Sequence, residues 1–314
     1  MTQRVVKLLQ TLGLCAALLL LALTLRKAWG ELANSGLSVR WDRAALGVAI
    51  GSVGYLASVL VWQRLLDRLG ARTRFVQFFP ICVLANLGRY LPGKVWQVVG
   101  MVVLGREMGV SVGVSAASSI LFLGFYVSGG AMLGLVLFPG EYLPVWARLA
   151  AWLIACAPTA LLLVPDAWAA IARRAPRRLS LESAPRISRM LVGEQMVFQT
   201  GTWCLHGLAF FVFASALGEL EWRRFPLVCG SYVLAYITGL LAVFAPGGIG
   251  VREGALGFLL AEGDLVGVPV HVTAVSSRIF FVAYELIVVL AAIGVRWHTT
   301  HSTPSQLDGP PRDL

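Results

Sequence analysis

Two stretches decide how this chain folds. They are Asn86-Leu87-Gly88-Arg89-Tyr90-Leu91-Pro92-Gly93-Lys94 and Ala245-Pro246-Gly247-Gly248-Ile249-Gly250-Val251-Arg252-Glu253-Gly254. Each sets a Pro-Gly step inside a long apolar region, about 75–105 and 225–262. Proline removes a backbone donor and glycine admits conformations closed to other residues, so a helix breaks at each step. An apolar run follows and closes on a glycine; 17 residues separate Pro92 from Gly109 and also Pro246 from Gly263. Helices broken at matching places in two halves of a membrane protein point to a binding site near the bilayer midplane.

Composition sets the class. Of 314 residues, 58% are hydrophobic and 13% charged, against about 25% charged in soluble domains. Several runs approach or exceed the roughly 20 apolar residues that cross hydrocarbon. The ten-residue alternating segments of a transmembrane β-barrel are missing. The expected class is an all-α integral membrane protein. The net charge of +10 does not imply nucleic-acid binding, because most cations lie between apolar segments, where they orient the chain. Cys15, Cys82, Cys156, Cys204 and Cys229 lie in or beside apolar runs and read as small hydrophobes. Neither they nor the four histidines have metal-ligand spacing, so no metal or cofactor is expected. Gly248-Ile-Gly250-Val-Arg-Glu253 imitates a dinucleotide fingerprint but carries Glu where the third glycine belongs, with no βαβ unit around it. No nucleophile–base pair or hydrolase carboxylate pair appears, and the chain is not expected to be an enzyme.

Six full spans are predicted, over about 8–25, 44–62, 113–138, 145–165, 190–217 and 271–296. Arg26-Lys27 follows the first run where a signal peptide would have a small-residue cleavage site, so the run reads as an uncleaved span. Trp29, Trp41, Trp62, Trp146, Trp168, Trp222 and Trp297 fall near span ends, the pattern of an interfacial belt. Gly47/Gly51 and Gly130/Gly134 are GxxxG pairs suited to close helix contact. Residues 298–314 are rich in Ser, Thr, Pro and Gly and read as a disordered cytoplasmic tail after a polytopic domain over 1–297.

Suppose each broken region is a re-entrant hairpin. The segments on one side then hold 15 cations and those on the other hold 7, with Arg89, Lys94, Arg252 and Arg278 left at membrane depth. The positive-inside rule puts the richer side, and both termini, in the cytoplasm. The hairpins then enter from opposite sides, and the halves 44–138 and 190–296 form an inverted-topology repeat. The alternative is that each broken region is a pair of full spans, for which 31 and 38 residues are short. The polar loop 166–189, with Arg173, Arg174, Arg177 and Arg178, reads as a topology signal.

Ionisable groups inside apolar spans cost at least about 2.5–3.5 kcal/mol at a helix centre, so they normally face a partner or a cavity. Here they are Arg89, Lys94, Glu194, Arg252, Glu253, Arg278 and Glu285. Pro92 and Pro246 suit a helical first turn, and Gly93, Gly247 and Gly248 let a ligand approach the backbone. Each loop is expected to start a half-helix whose free N–H groups attract anions. Arg89, Lys94 and Arg252 add full charge, making a phosphate site. The plainer alternative is two helix breaks whose cations snorkel to an interface. Glu253 and Arg278 are expected to pair across helices. Glu194 and Glu285 are possible coupling or headgroup carboxylates, with interhelical hydrogen bonds as the bland alternative. His206 reads as a packing residue.

Asn86 through Gln97, then Arg106 through Ser111, resembles the first signature of the flippase-like family, also called the lysylphosphatidylglycerol synthase transmembrane region. Pro246 through Gly254, followed by Ser277-Arg278, resembles the second. The likeness runs over roughly 8–296. It implies an inner-membrane protein tied to lipid translocation. Members that move an aminoacylated phospholipid also carry a soluble aminoacyl-transferase domain; others are associated with glycolipid and polyprenyl-linked sugar pathways. These 314 residues contain no segment long enough for that domain, so a membrane module alone is expected. Its cargo would be a lipid with an anionic headgroup, a phospholipid or polyprenyl-linked sugar, crossing the inner membrane. The alternative is a non-transporting accessory subunit of a membrane glycosyltransferase or lipid-modifying complex.

Overall fold

The computed structural model describes residues 3–90, 96–142, 144–164, 167–174, 187–243 and 245–301. The elements are α1 (Gln3–Asn34), α2 (Trp41–Arg68), α3 (Phe75–Asn86), α4 (Trp96–Gly105), α5 (Val112–Leu137), α6 (Val145–Leu163), α7 (Ala167–Arg174), α8 (Arg189–Ala214), α9 (Phe225–Leu241), α10 (Val251–Glu262) and α11 (Val270–His301). No strand occurs among the described residues. Six helices there are long and apolar enough to cross a membrane: α2, α5, α6, α8, α11, and α9 with the turn before it, Trp222–Leu241. α1 contains the predicted N-terminal run. α11 continues through His301, so 298–301 is helix; the rest of the expected tail lies outside the described residues.

Both broken regions are broken, and their arms fold back antiparallel. In the first, a Cβ on Gly100 would stand 3.1 Å from Ala85 Cα and one on Gly88 2.6 Å from the Trp96 carbonyl carbon. In the second, Gly239 meets Arg252 and Gly263 meets Leu227. α3, α4 and α10 have 12, 10 and 12 residues, about 15–18 Å at 1.5 Å per residue, half of the hydrocarbon core. The second region is unequal, since its first arm, with the preceding turn, has 20 residues and full crossing length.

α2 and α8 pack antiparallel at the centre. Gly47 lies against Ala209 and Phe213, Gly54 against His206, and Arg64 and Arg68 pair with Glu194, so numbers rise along α2 as they fall along α8. A Cβ on Gly47 would come within 2.8 Å of Phe213 N, so the backbones touch there, as expected of small-residue crossings. Gly130 and Gly134 serve likewise against Trp203 and Leu234. The other contacts repeat between halves: α11 lies on α2 as α5 on α8, α3 on α11 as α9 on α5, α4 on α5 as α10 on α11, and α1 on α11 as α6 on α5.

Trp29, Trp41, Trp146, Trp222 and Trp297 are exposed, as an interfacial belt requires, but Trp62 is wholly buried. Helix α2 runs past it to Arg68, and its indole stacks on Phe122 at 4.5 Å. Trp168 is also buried.

Candidate functional site

The second loop is shaped by its glycines. Gly247, Gly248 and Gly250 have φ of 59°, 68° and 82°, left-handed values that few other residues tolerate. A Cβ on Gly247 would also lie 2.8 Å from Tyr90 Cδ1, and one on Gly248 3.0 Å from Gly239 O. These angles correct the expected helix start: Pro246 heads a separate 3₁₀ turn, Pro246–Gly248, and α10 begins at Val251. A helix cannot pass three left-handed residues. The new terminus is partly self-neutralised, because Glu253 Oε2 accepts from Gly250 N at 2.8 Å.

In the first loop, α3 passes into a 3₁₀ turn, Leu87–Tyr90, that ends against the second loop, with the Tyr90 ring on Gly247. Pro92, Gly93 and Lys94 lie outside the described residues. Arg89 donates to Glu285 Oε1, and through Nη1 to the Tyr236 hydroxyl at 3.5 Å. Tyr90 donates its hydroxyl to Glu285 Oε2. Both carboxylate oxygens are thus taken by the first loop.

Helix α11 braces the second loop as well. Arg278, fully buried, donates Nη1 to Gly247 O at 3.2 Å and sets Nη2 2.5 Å from Glu253 Oε1. The expected Glu253–Arg278 pair is therefore present. Arg252 is less well matched. Its Nη2 donates to Ser277 O at 3.4 Å, its Nε is 3.8 Å from Glu253 Oε1, and its guanidinium stands 4.3 Å over the Phe281 ring. Arg89 stands over the same ring at 4.9 Å. Three buried or part-buried guanidiniums, Arg89, Arg252 and Arg278, thus face two carboxylates, Glu253 and Glu285. An uncompensated charge in low dielectric calls for an anion. These groups open on a recess, about 350 Å³ with its open solvent included, lined by Arg89, Arg252, Gly247, Gly248, Tyr236 and Phe281 among others.

Glu194 is elsewhere. It pairs with Arg64 and with Arg68 at 2.7 Å where α2 ends and α8 begins. His206 is buried, with Nε2 3.5 Å from Ser58 Oγ and Nδ1 unpartnered. It lines a second cavity, of about 590 Å³, that shares Arg89, Tyr236 and Leu240 with the first. Tyr236 and Phe281 at the cation cluster, and Tyr55, Tyr126 and Tyr284 around the second cavity, escaped the sequence reading. Aromatic residues inside apolar spans look like core, and nothing local distinguishes those that face a cavity.

A search of curated proteins finds no match. The profile of the lysylphosphatidylglycerol synthase TM region matches residues 10–294, nearly all of the described membrane helices. On that match, the chain belongs to the lysylphosphatidylglycerol synthase TM region family.

Proposed function

We propose that the protein translocates a phosphate-bearing lipid, its headgroup anion held between the two loops by Arg89 and Arg252 while the hydrocarbon chains stay in the bilayer. One observation carries the reading: a largely buried, net-positive cluster of three arginines and two glutamates, of which Arg89 and Arg252 line a cavity where the two broken regions meet. Lys94, on the same loop as Arg89, is expected to add a further cation. The antiparallel α2–α8 pair and the matching contacts of the two halves support an inverted-topology repeat. The folded-back arms then read as re-entrant hairpins, a design that sets a site at the midplane. The cations at the ends of α2 (Arg64, Arg68) and α7 (Arg173, Arg174), with Arg296 on α11, support an orientation with both termini cytoplasmic, and an inner-membrane placement is proposed with it. No covalent step is proposed.

The test is reconstitution into liposomes with a headgroup-labelled phospholipid. Arg252→Gln should cut headgroup movement at least about tenfold, roughly the 1.4 kcal/mol of one charge-assisted contact, while Arg64→Gln leaves it unchanged. Unaltered movement in an Arg252→Gln, Lys94→Gln double variant would remove the site. Co-purification with a glycosyltransferase, without any lipid movement, would favour the accessory-subunit reading.

A further inference from the structure

The larger cavity carries an inference about which headgroup fits. Its lining is largely apolar and aromatic with a few convergent polar groups, the make-up of small-molecule sites. It shares Arg89, Tyr236 and Leu240 with the anion cradle, so it lies beside a phosphate held at Arg89, within reach of the group that the phosphate carries. One wall is a polar ladder from the first broken region to α2: Gln97 Nε2 donates to Asn86 Oδ1 at 2.5 Å, and Asn86 Nδ2 to the Tyr55 hydroxyl at 3.3 Å. Ser58 and His206 face the cavity beyond it, and His206 Nδ1, in a ring 4% exposed, has no partner. The remainder is aromatic (Trp62, Phe122, Tyr126, Tyr236, Tyr284) or aliphatic, with Cys82.

Charge decides the matter. Among the described residues, no carboxylate lines this cavity and Arg89 is the one charged lining group. Glu285 has both oxygens committed to Arg89 and Tyr90. Glu253 is committed to Gly250 N and Arg278. An ammonium here would meet the Arg89 guanidinium at low dielectric with no carboxylate in the lining, and the headgroup's own phosphate is already shared between Arg89 and Arg252, which is unfavourable. Hydroxyls would meet amide, imidazole and phenol groups able to donate and accept, and apolar ring faces would meet aromatic side chains.

We infer that this cavity is a headgroup subsite for an uncharged, hydroxyl-bearing group attached to the phosphate, a sugar or polyol, and that it rejects cationic headgroups. The inference rests on the anion cradle proposed above and narrows its cargo.

The test reads binding separately from movement. The full chain in detergent is mixed with equal amounts of phosphatidylinositol and lysyl-phosphatidylglycerol, which share a phosphodiester. Lipid retained by the intact protein is then measured by native mass spectrometry. The inositol lipid should be retained at least about tenfold more, a difference worth one decade of affinity. Gln97→Glu, which sets a carboxylate on the wall, should narrow or reverse the ratio. A wild-type ratio near one, or favouring the lysyl lipid, overturns the inference even if Gln97→Glu fails to fold. Selective retention without movement in liposomes sustains the subsite and counts against translocation. Movement of both lipids with equal retention does the reverse.

Discussion

The two broken regions meet at the same place but are held there differently. The first, α3 and α4, is held from outside: Arg89 and Tyr90 both reach Glu285 on α11. The second, α9 and α10, is braced largely from within: Glu253 caps its own helix at Gly250, and left-handed glycines make its turn. α11 contributes Arg278 to that brace and Glu285 to the other, seven residues or two turns apart on one face. One helix thus pins both loops, and the charge left over is Arg252. The difference teaches that most charged groups here serve position, and that Arg252 is the least compensated one, the residue on which the proposed headgroup site rests. A family signature alone weighs all of them equally.

Removing what α11 adds to the second brace should hurt most. Arg278→Met leaves the buried Glu253 with Arg252, 3.8 Å away, as its remaining counter-charge, so a loss of about 3 kcal/mol, the lower end of the usual range of about 3–5 kcal/mol, is expected, read as a large fall in detergent melting temperature. Retention of full stability would show that the second loop does not depend on α11. Breaking the external anchor comes next. Glu285→Gln strands Arg89, whose side chain is 15% exposed, so the cost should sit at or below the lower end of that about 3–5 kcal/mol range. Adding Arg89→Gln should recover part of it in a double-mutant cycle. Strict additivity would mean that the pair is not coupled.

Gly247→Ala sharpens the role of the turn. A left-handed alanine costs about 1–2 kcal/mol, and its Cβ would press on Tyr90 at 2.8 Å. A loss of about 2 kcal/mol is therefore expected, with lipid retention falling too because the two loops move apart. By contrast, Gly254, in α10 with open space around it, should accept alanine with no loss, since glycine is the poorer helix former by about 0.5–1 kcal/mol. The smallest effect belongs to the pairs outside the cluster. Arg64→Ala, at a half-exposed arginine beside Glu194, should cost no more than about 1 kcal/mol. A loss as large as that of Arg278→Met would mean that burial does not separate the two classes of ion pair.

Much of this was readable in the chain. Every predicted span has its helix, because the hydrocarbon core demands long apolar runs and Pro-Gly steps interrupt them. Arg89, Arg252, Glu253, Arg278 and Glu285 stood out because charge is rare in such runs. Other features were not readable. The start of α10 shifted from Pro246 to Val251 because consecutive glycines can be helical or left-handed, and only the surroundings choose. Trp62 reads as interfacial by its distance from Arg64, yet the packing of α2 against α5 buries it on Phe122. Glu285 reads as a spare carboxylate until Arg89, 196 residues away, arrives beside it.

By itself, then, the sequence determined the solvent this protein lives in, the order and approximate ends of its helices, the two places where they break, and the short set of charged residues worth watching. Those follow from local chemistry: apolar length, backbone conformation, and the cost of charge in hydrocarbon. The tertiary structure alone decided which cation meets which carboxylate, that α11 holds both loops, and that Arg252 is left least compensated above a cavity. The periodicity of a helix tells which residues share its face, but not which other helix that face will meet or at what register. Ion pairing at low dielectric depends on ångström distances across those interfaces.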